Sequence, residues 1–221
     1  MCAVIGITGL PGAGKSFFSR ELSRRFGVVI DADRIGHQLL EDPEVQTEIT
    51  TRFGKDVLDG YLINRKRLAA VAFSTKENTD ALNAITHPRL LQRMCELIRA
   101  PLSTGAFYVL DAALLFEAGF NRLCQISVLI DCDSDRRRAR MLAARNWSAE
   151  ELCRRDQAQD ETLKRSHCDF VIDGNVDSKL LEESANRLEI ALRYALSLAG
   201  NASFEPTVVR RATEVLFGGC I

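Results

Sequence analysis

The chain has no excess of either charge: 29 basic side chains face 30 acidic ones among 221 residues. General nucleic-acid and membrane-surface binders carry a marked basic excess, so neither class fits. No apolar run approaches the roughly 20 residues that a membrane-spanning helix needs. No cationic leader with an apolar core precedes the first apolar run, which predicts a cytoplasmic protein. The seven cysteines form no C-x-x-C pair. Scattered through apolar segments, they suggest neither a disulfide framework nor a zinc site. Internal repeats and low-complexity segments are also missing, and so is the N-K-x-D element of a guanine-specific switch. What is left is enough chain for one substantial α/β core.

Five apolar, β-rich runs occupy residues 3–8, 28–31, 107–111, 126–131 and 169–173. They are continuous rather than alternating, the pattern of parallel strands covered on both faces. Helical stretches between them predict βαβ crossovers and a doubly wound sheet. Most of the runs end in aspartate, so acidic groups should gather at the carboxyl edge, where open α/β sheets bind ligands. Two segments are too long for simple crossovers. Residues 34–104 hold helical patterns at 35–40, 44–53, 65–73, 77–85 and 88–99, and are expected to form an inserted helical substrate domain. Residues 134–167 are helical and dense in arginine, as a lid would be, with Asp133 or Ser134 and then Ser148 as helix caps. Its few large apolar residues predict loose packing on the core. The core is then 1–33, 105–133 and 168–200, and the tail 201–221 shows no clear pattern.

The segment Gly9-Leu10-Pro11-Gly12-Ala13-Gly14-Lys15-Ser16 fits G-x-x-x-x-G-K-[ST], and it lies between an apolar run and a helical one. Its glycines let the backbone curl, so that the amides of Gly9, Gly12, Ala13, Gly14, Lys15, Ser16 and Phe17 converge on phosphate oxygens. Lys15 reaches the β- and γ-phosphates, and the Ser16 hydroxyl holds Mg2+. A nucleoside triphosphate is therefore the expected ligand, and a P-loop three-layer sandwich with a five-stranded parallel sheet the expected fold. Asp111 ends four apolar residues in the manner of a Walker B strand, whose carboxylate holds Mg2+; a helix cap or turn is the alternative. Asp31 reads as a structural cap. Asp33 either points into the site or caps the helix that follows. Among the lid cations, Arg136 and Arg137 read as solvated surface. Others can neutralise charge spreading over a γ-phosphoryl group.

At this point the residues resemble the dephospho-coenzyme A kinase family. The resemblance begins with the glycine loop and Asp31-Ala32-Asp33, with His37 beyond, and continues through Arg67-Leu68 and Leu82-Asn83-Ala84-Ile85-Thr86-His87-Pro88. Asp111-Ala112-Ala113-Leu114-Leu115-Phe116-Glu117 follows, then Ser148 to Arg155, Gln159, Lys164 and Asp169. The likeness spans about residues 4–188. It implies phosphorylation of the ribose 3′-hydroxyl of dephospho-coenzyme A with ATP and Mg2+, the last step of coenzyme A biosynthesis. In that frame Asp33 orients the acceptor hydroxyl and takes its proton, while Ser16 and Asp111 place the metal. Arg140 and Arg145 close over the γ-phosphoryl group, and His87, Leu115 and Glu117 lie on the substrate side. His87 could equally shape the start of a helix whose first residue is Pro88. The small-molecule substrate is the expected partner, with no nucleic acid or membrane, and the chain is expected to be a monomer or a weak homo-oligomer.

This chain departs from the family at Ala113 in place of proline, Cys168 in place of alanine, and Gly174 in place of asparagine, with Asn175 next. Its lid turn between Arg145 and Ser148 is one residue short. Another small-molecule kinase, acting on a nucleoside monophosphate or sugar acid, would share the loop and lid. It has no reason to carry D-A-D and N-x-I-x-H-P together. A non-catalytic relative has no reason to keep Lys15, Ser16, Asp33 and Asp111.

Overall fold

Each continuous apolar run becomes a strand. The structure, a computed structural model, describes residues 3–100, 102–103, 106–145, 148–157, 159–199 and 205–217. In chain order the elements are β1 (Ala3–Thr8), α1 (Lys15–Ser23), β2 (Gly27–Asp31), α2 (Ala32–Leu39) and α3 (Pro43–Phe53). A short hairpin of β3 (Leu58–Asp59) and β4 (Leu62–Ile63) precedes α4 (Arg65–Ala72) and α5 (Lys76–Ile98). Then come β5 (Phe107–Asp111), β6 (Ile126–Asp131), α6 (Ser134–Arg145), α7 (Ala149–Gln157) and α8 (Glu161–His167). The last elements are β7 (Phe170–Asp173), α9 (Ser178–Ala199) and α10 (Pro206–Phe217). No helix among the described residues is long and apolar enough to cross a membrane.

The main sheet has five strands in the order β2-β5-β1-β6-β7. β1 pairs in parallel with β5 on one side and β6 on the other, and β6 with β7. The chain leaves β1 toward β2 in one direction and later returns to β6 and β7 in the other. The carboxyl end of β1 is therefore the switch point where a doubly wound sheet opens a crevice. Every residue of β1 and β5 is buried. Phe18 and Leu22 of α1, Leu181, Leu188 and Leu192 of α9, and Val209 of α10 pack into one core with Ile5, Ile7 and Val109. Each large aliphatic side chain so buried contributes about 1.5–3 kcal/mol. α10 lies in the tail read above as patternless, yet Val208, Val209, Ala212, Val215 and Leu216 keep helical spacing there. It packs on α9 and buries Val209, Ala212 and Thr213.

Contacts divide the chain into two units, Met1–Ile30 with Ala100–Ile221, and Asp31–Arg99. The second unit has its own core of Val45, Ile49, Val57, Leu68 and Ala72, on which Leu82 and Ile85 of α5 pack. Here one expectation is corrected. Residues 77–85 and 88–99 are not two helices but the single helix α5, with Pro88 in its interior. A proline there cannot donate to the carbonyl of Ala84 and ordinarily costs about 3 kcal/mol. Packing on both sides of it offsets the loss. Leu90 and Met94 beyond Pro88 are buried, and α2, α3 and α4 all pack along α5.

The glycine at 174 has a steric cause. A Cβ there would lie 2.6 Å from the Ala13 carbonyl oxygen and 2.9 Å from that of Asp131. Both are backbone atoms and cannot swing aside. Asn175 follows and accepts from the Asp133 amide through Oδ1 at 3.0 Å, tying the end of β7 to the start of α6. Gly174→Ala should therefore destabilise the protein by about 1–3 kcal/mol, as overpacking does. In a chain of this size that lowers Tm by about 2–4 °C per kcal/mol. An unchanged thermal midpoint would show that the strand end and the loop do not press together.

Candidate active site

The glycine loop follows directly from β1. Gly12 and Gly14 adopt φ of 83° and 105°, values that a side chain disfavours. α1 starts at Lys15, so the unpaired amides of its first turn project from the helix end that attracts anions. Phe17 sits in that turn with its ring against the core. The Thr8 hydroxyl donates to the Ala113 carbonyl at 3.1 Å, linking the start of the loop to the segment after β5. The register of the sheet sets Ile7 beside Asp111, and Lys15 Nζ donates to the Asp111 carboxylate. Asp111 is 3% exposed. The chain runs directly from it into turns at residues 113–119, with no helix starting there, so Asp111 caps no helix and the turn alternative remains.

Ser16 is exposed at the start of α1. Its hydroxyl and the Asp111 carboxylate are hard oxygen donors of the kind Mg2+ takes. No group of three His, Cys, Asp or Glu among the described residues could hold a metal alone. A cation here would complete its shell with phosphate and water oxygens.

Two arginines of α6 reach the loop, one of them against expectation. Arg140 Nη1 donates to the Gly12 and Ala13 carbonyls, both at 3.3 Å, and Nη2 to the Val176 carbonyl at 3.2 Å. These contacts turn its guanidinium toward the loop and the segment before α9. Arg137, expected on the solvated surface, is 4% exposed. Its fork donates to both carboxylate oxygens of Asp156 at 2.9 Å, its Nε to the Cys132 carbonyl at 3.1 Å, and Nη1 to the Pro11 carbonyl at 3.3 Å. A guanidinium so fully paired tolerates burial. Met141 and Leu152 are buried as well, so α6 and α7 do not pack as loosely as their composition suggests. The Arg145 side chain and Trp147 lie outside the described residues.

Of two residues expected on the substrate side, one is core and the other holds a structural pair. Leu115 is fully buried and lies against Gly6, where a Cβ would come within 2.9 Å of it. It is a core residue. Glu117 accepts from the Asp160 amide at 2.9 Å and from Lys164 Nζ, anchoring α8 to the segment after β5. Lys164 is fully buried. Burial pulls its pKa down, and the hydrogen bond and charge of Glu117 oppose that. Burial likewise pushes the thiols of Cys124 and Cys168 up to about 12, so both behave as small apolar groups.

In the unit Asp31–Arg99, Asp31 Oδ1 accepts from the Arg34 amide at 2.9 Å and caps α2. Asp33 lies in the first turn of that helix and is not its cap. His87 is half-buried inside α5, and burial lowers its pKa from 6.5, favouring a neutral ring. With α5 continuous, His87 does not shape a helix start.

The Glu117–Lys164 pair makes a specific prediction. Glu117→Met strands a buried ammonium and should cost about 3–5 kcal/mol in urea unfolding. Adding Lys164→Met should recover much of that loss. A double variant that loses the sum of both single effects would show that the two groups act independently.

The dephospho-CoA kinase family model matches residues 3–179. The dephospho-CoA kinase of Corynebacterium efficiens is 36% identical over 190 residues, covering 83% of this chain and 94% of the relative. That of Deinococcus radiodurans is 37% identical over 191 residues, covering 86% and 90%. A crystal structure from Thermus thermophilus superposes with a TM-score of 0.69 at 30% identity, over 82% of this chain and 93% of that one. The glycine loop, the aspartate that meets its lysine and the arginine-bearing helices all fall within the matched residues, and the chain belongs to the dephospho-CoA kinase family.

Proposed function

We propose that this chain transfers the γ-phosphoryl group of ATP to the ribose 3′-hydroxyl of dephospho-CoA, with Lys15, Ser16, Asp111 and Asp33 as its working residues. One observation carries the reading of the site: Lys15 and Asp111 meet where the loop leaves β1. The loop amides and Lys15 hold the phosphates in line. Mg2+, held by Ser16 and Asp111, would neutralise charge on the β- and γ-phosphate oxygens.

Asp33 orients the acceptor hydroxyl and takes its proton as the bond from O3′ to the γ-phosphorus forms and the bond to the bridging oxygen of ADP breaks. Because such transition states are loose, orientation outweighs basic strength. Asp33 suits this role because Asp31 already serves as the helix cap. The unit Asp31–Arg99 would supply the acceptor surface, with His87 as a neutral contact. Arg145, from α6, would meet the γ-phosphoryl group while α6 to α8 exclude water.

The test is to incubate the protein with ATP, Mg2+ and a panel of acceptors, then look for coenzyme A by mass and for its 3′-phosphate by NMR. Phosphorylation of a nucleoside monophosphate or sugar acid, with dephospho-CoA untouched, would refute the acceptor assignment. Lys15→Ala should lower kcat/KM at least about 100- to 1,000-fold, the range for removing one donor to developing charge. Asp33→Asn should lower kcat about 100- to 10,000-fold and leave ATP affinity nearly as it was, measured by calorimetry. Unchanged turnover in Asp33→Asn would assign the acceptor hydroxyl to another residue.

A further inference from the structure

A loop that turns its amides toward a phosphate turns the carbonyls of the same planar peptides the other way. Those outward carbonyls need donors of their own. Arg137 and Arg140, one turn apart on α6, supply them: Arg137 to Pro11, and Arg140 to Gly12 and Ala13. The backbone of α6 is itself pressed on the loop. A Cβ on Gly12 would lie 2.8 Å from the Arg137 carbonyl oxygen and 3.0 Å from its Cα. The shape of the loop and the seat of α6 are therefore one arrangement.

Arg137 is held from three directions, by the Cys132 carbonyl after β6, by Pro11 in the loop and by the Asp156 carboxylate on α7. The five N–H groups of a guanidinium are fixed in one plane, so the acceptor that takes the fork decides where the remaining donors point. Asp156 takes the fork with both oxygens. From this geometry we infer that Arg137 is a positioning residue for ATP, and that Asp156 on α7 tunes how firmly the loop holds the nucleotide. Without the Asp156 charge, the Arg137 fork loses its orienting partner, and the Pro11 carbonyl and the seat of α6 lose theirs. Coupling of this kind is reciprocal. Phosphate binding at the loop must then steady α7.

The inference rests on the phosphate-binding reading of the loop, and the test separates the two. ATP binding is measured by calorimetry, and KM for each substrate by initial rates, for wild type, Asp156→Asn, Arg137→Lys and the double variant. All are compared below the onset of unfolding, so lost stability alone moves neither quantity. Asp156→Asn should weaken ATP binding and raise KM for ATP about 5- to 50-fold, a usual size for coupling between sites, with KM for the acceptor little moved. The double variant should be no worse than the larger single effect, because both changes break one link. Amides of α7 should exchange more slowly in wild type when ATP is added, and should gain less in Asp156→Asn. Should Arg137→Lys fail to fold, Asp156→Asn decides the matter alone. Wild-type ATP affinity in Asp156→Asn, or equal losses for both substrates, overturns the inference. A wild-type protein that binds no ATP overturns the reading of the loop instead.

Discussion

The register of β1 against β5 governs the site. Because Ile7 lies opposite Asp111, a carboxylate stands beside the strand from which the glycine loop departs, within reach of Lys15. Side chains alternate between faces along a strand, so a slip of one residue would turn that carboxylate to the other side of the sheet. The slip is resisted by the burial of β1 and β5 at every residue. The chemistry of the loop is thus positioned by apolar packing in the centre of the sheet, where no reacting group lies.

Around that centre, two ion pairs help to seat the helices from α6 to α8. Arg137 with Asp156 and Lys164 with Glu117 are ion pairs with one member almost wholly buried. Such pairs contribute little net stability, because desolvation takes back most of the attraction, but a broken one is costly. They therefore specify one arrangement more strongly than they stabilise it. For a segment that must align with a phosphate loop, that is a useful property.

Much of this was legible in the sequence, for identifiable reasons. The strands of the main sheet show because parallel strands read as unbroken apolar runs, and the loop shows because its residue types are each required by phosphate geometry. Asp31 as a cap follows from its place at a strand end. The misreadings share another cause. Pro88 looks like a helix start because its local cost is plain, whereas the packing along α5 that absorbs it comes from distant segments. Arg137 looks solvated because its partner Asp156 stands on another helix, and no spacing rule joins them. Leu115 was grouped with its neighbours in a family motif, although its side chain turns into the core against Gly6. α10 was in fact legible, since Pro206 suits a first helical position and Val208, Val209, Ala212, Val215 and Leu216 keep helical spacing after it.

The contact between Lys15 and Asp111 has a consequence for selectivity. The lysine carries its counter-ion within the fold, so a phosphate either shares the three N–H donors of Lys15 with Asp111 or draws them away from it. A bare anion that drew them away would leave that carboxylate stranded at 4% side-chain exposure, with the penalty of an unpaired buried charge. A ligand that brings a cation along with its phosphates leaves no charge uncompensated. On the phosphate-binding reading proposed above, the pair would then favour a neutralised salt over a free anion, before any part of the base or sugar is read.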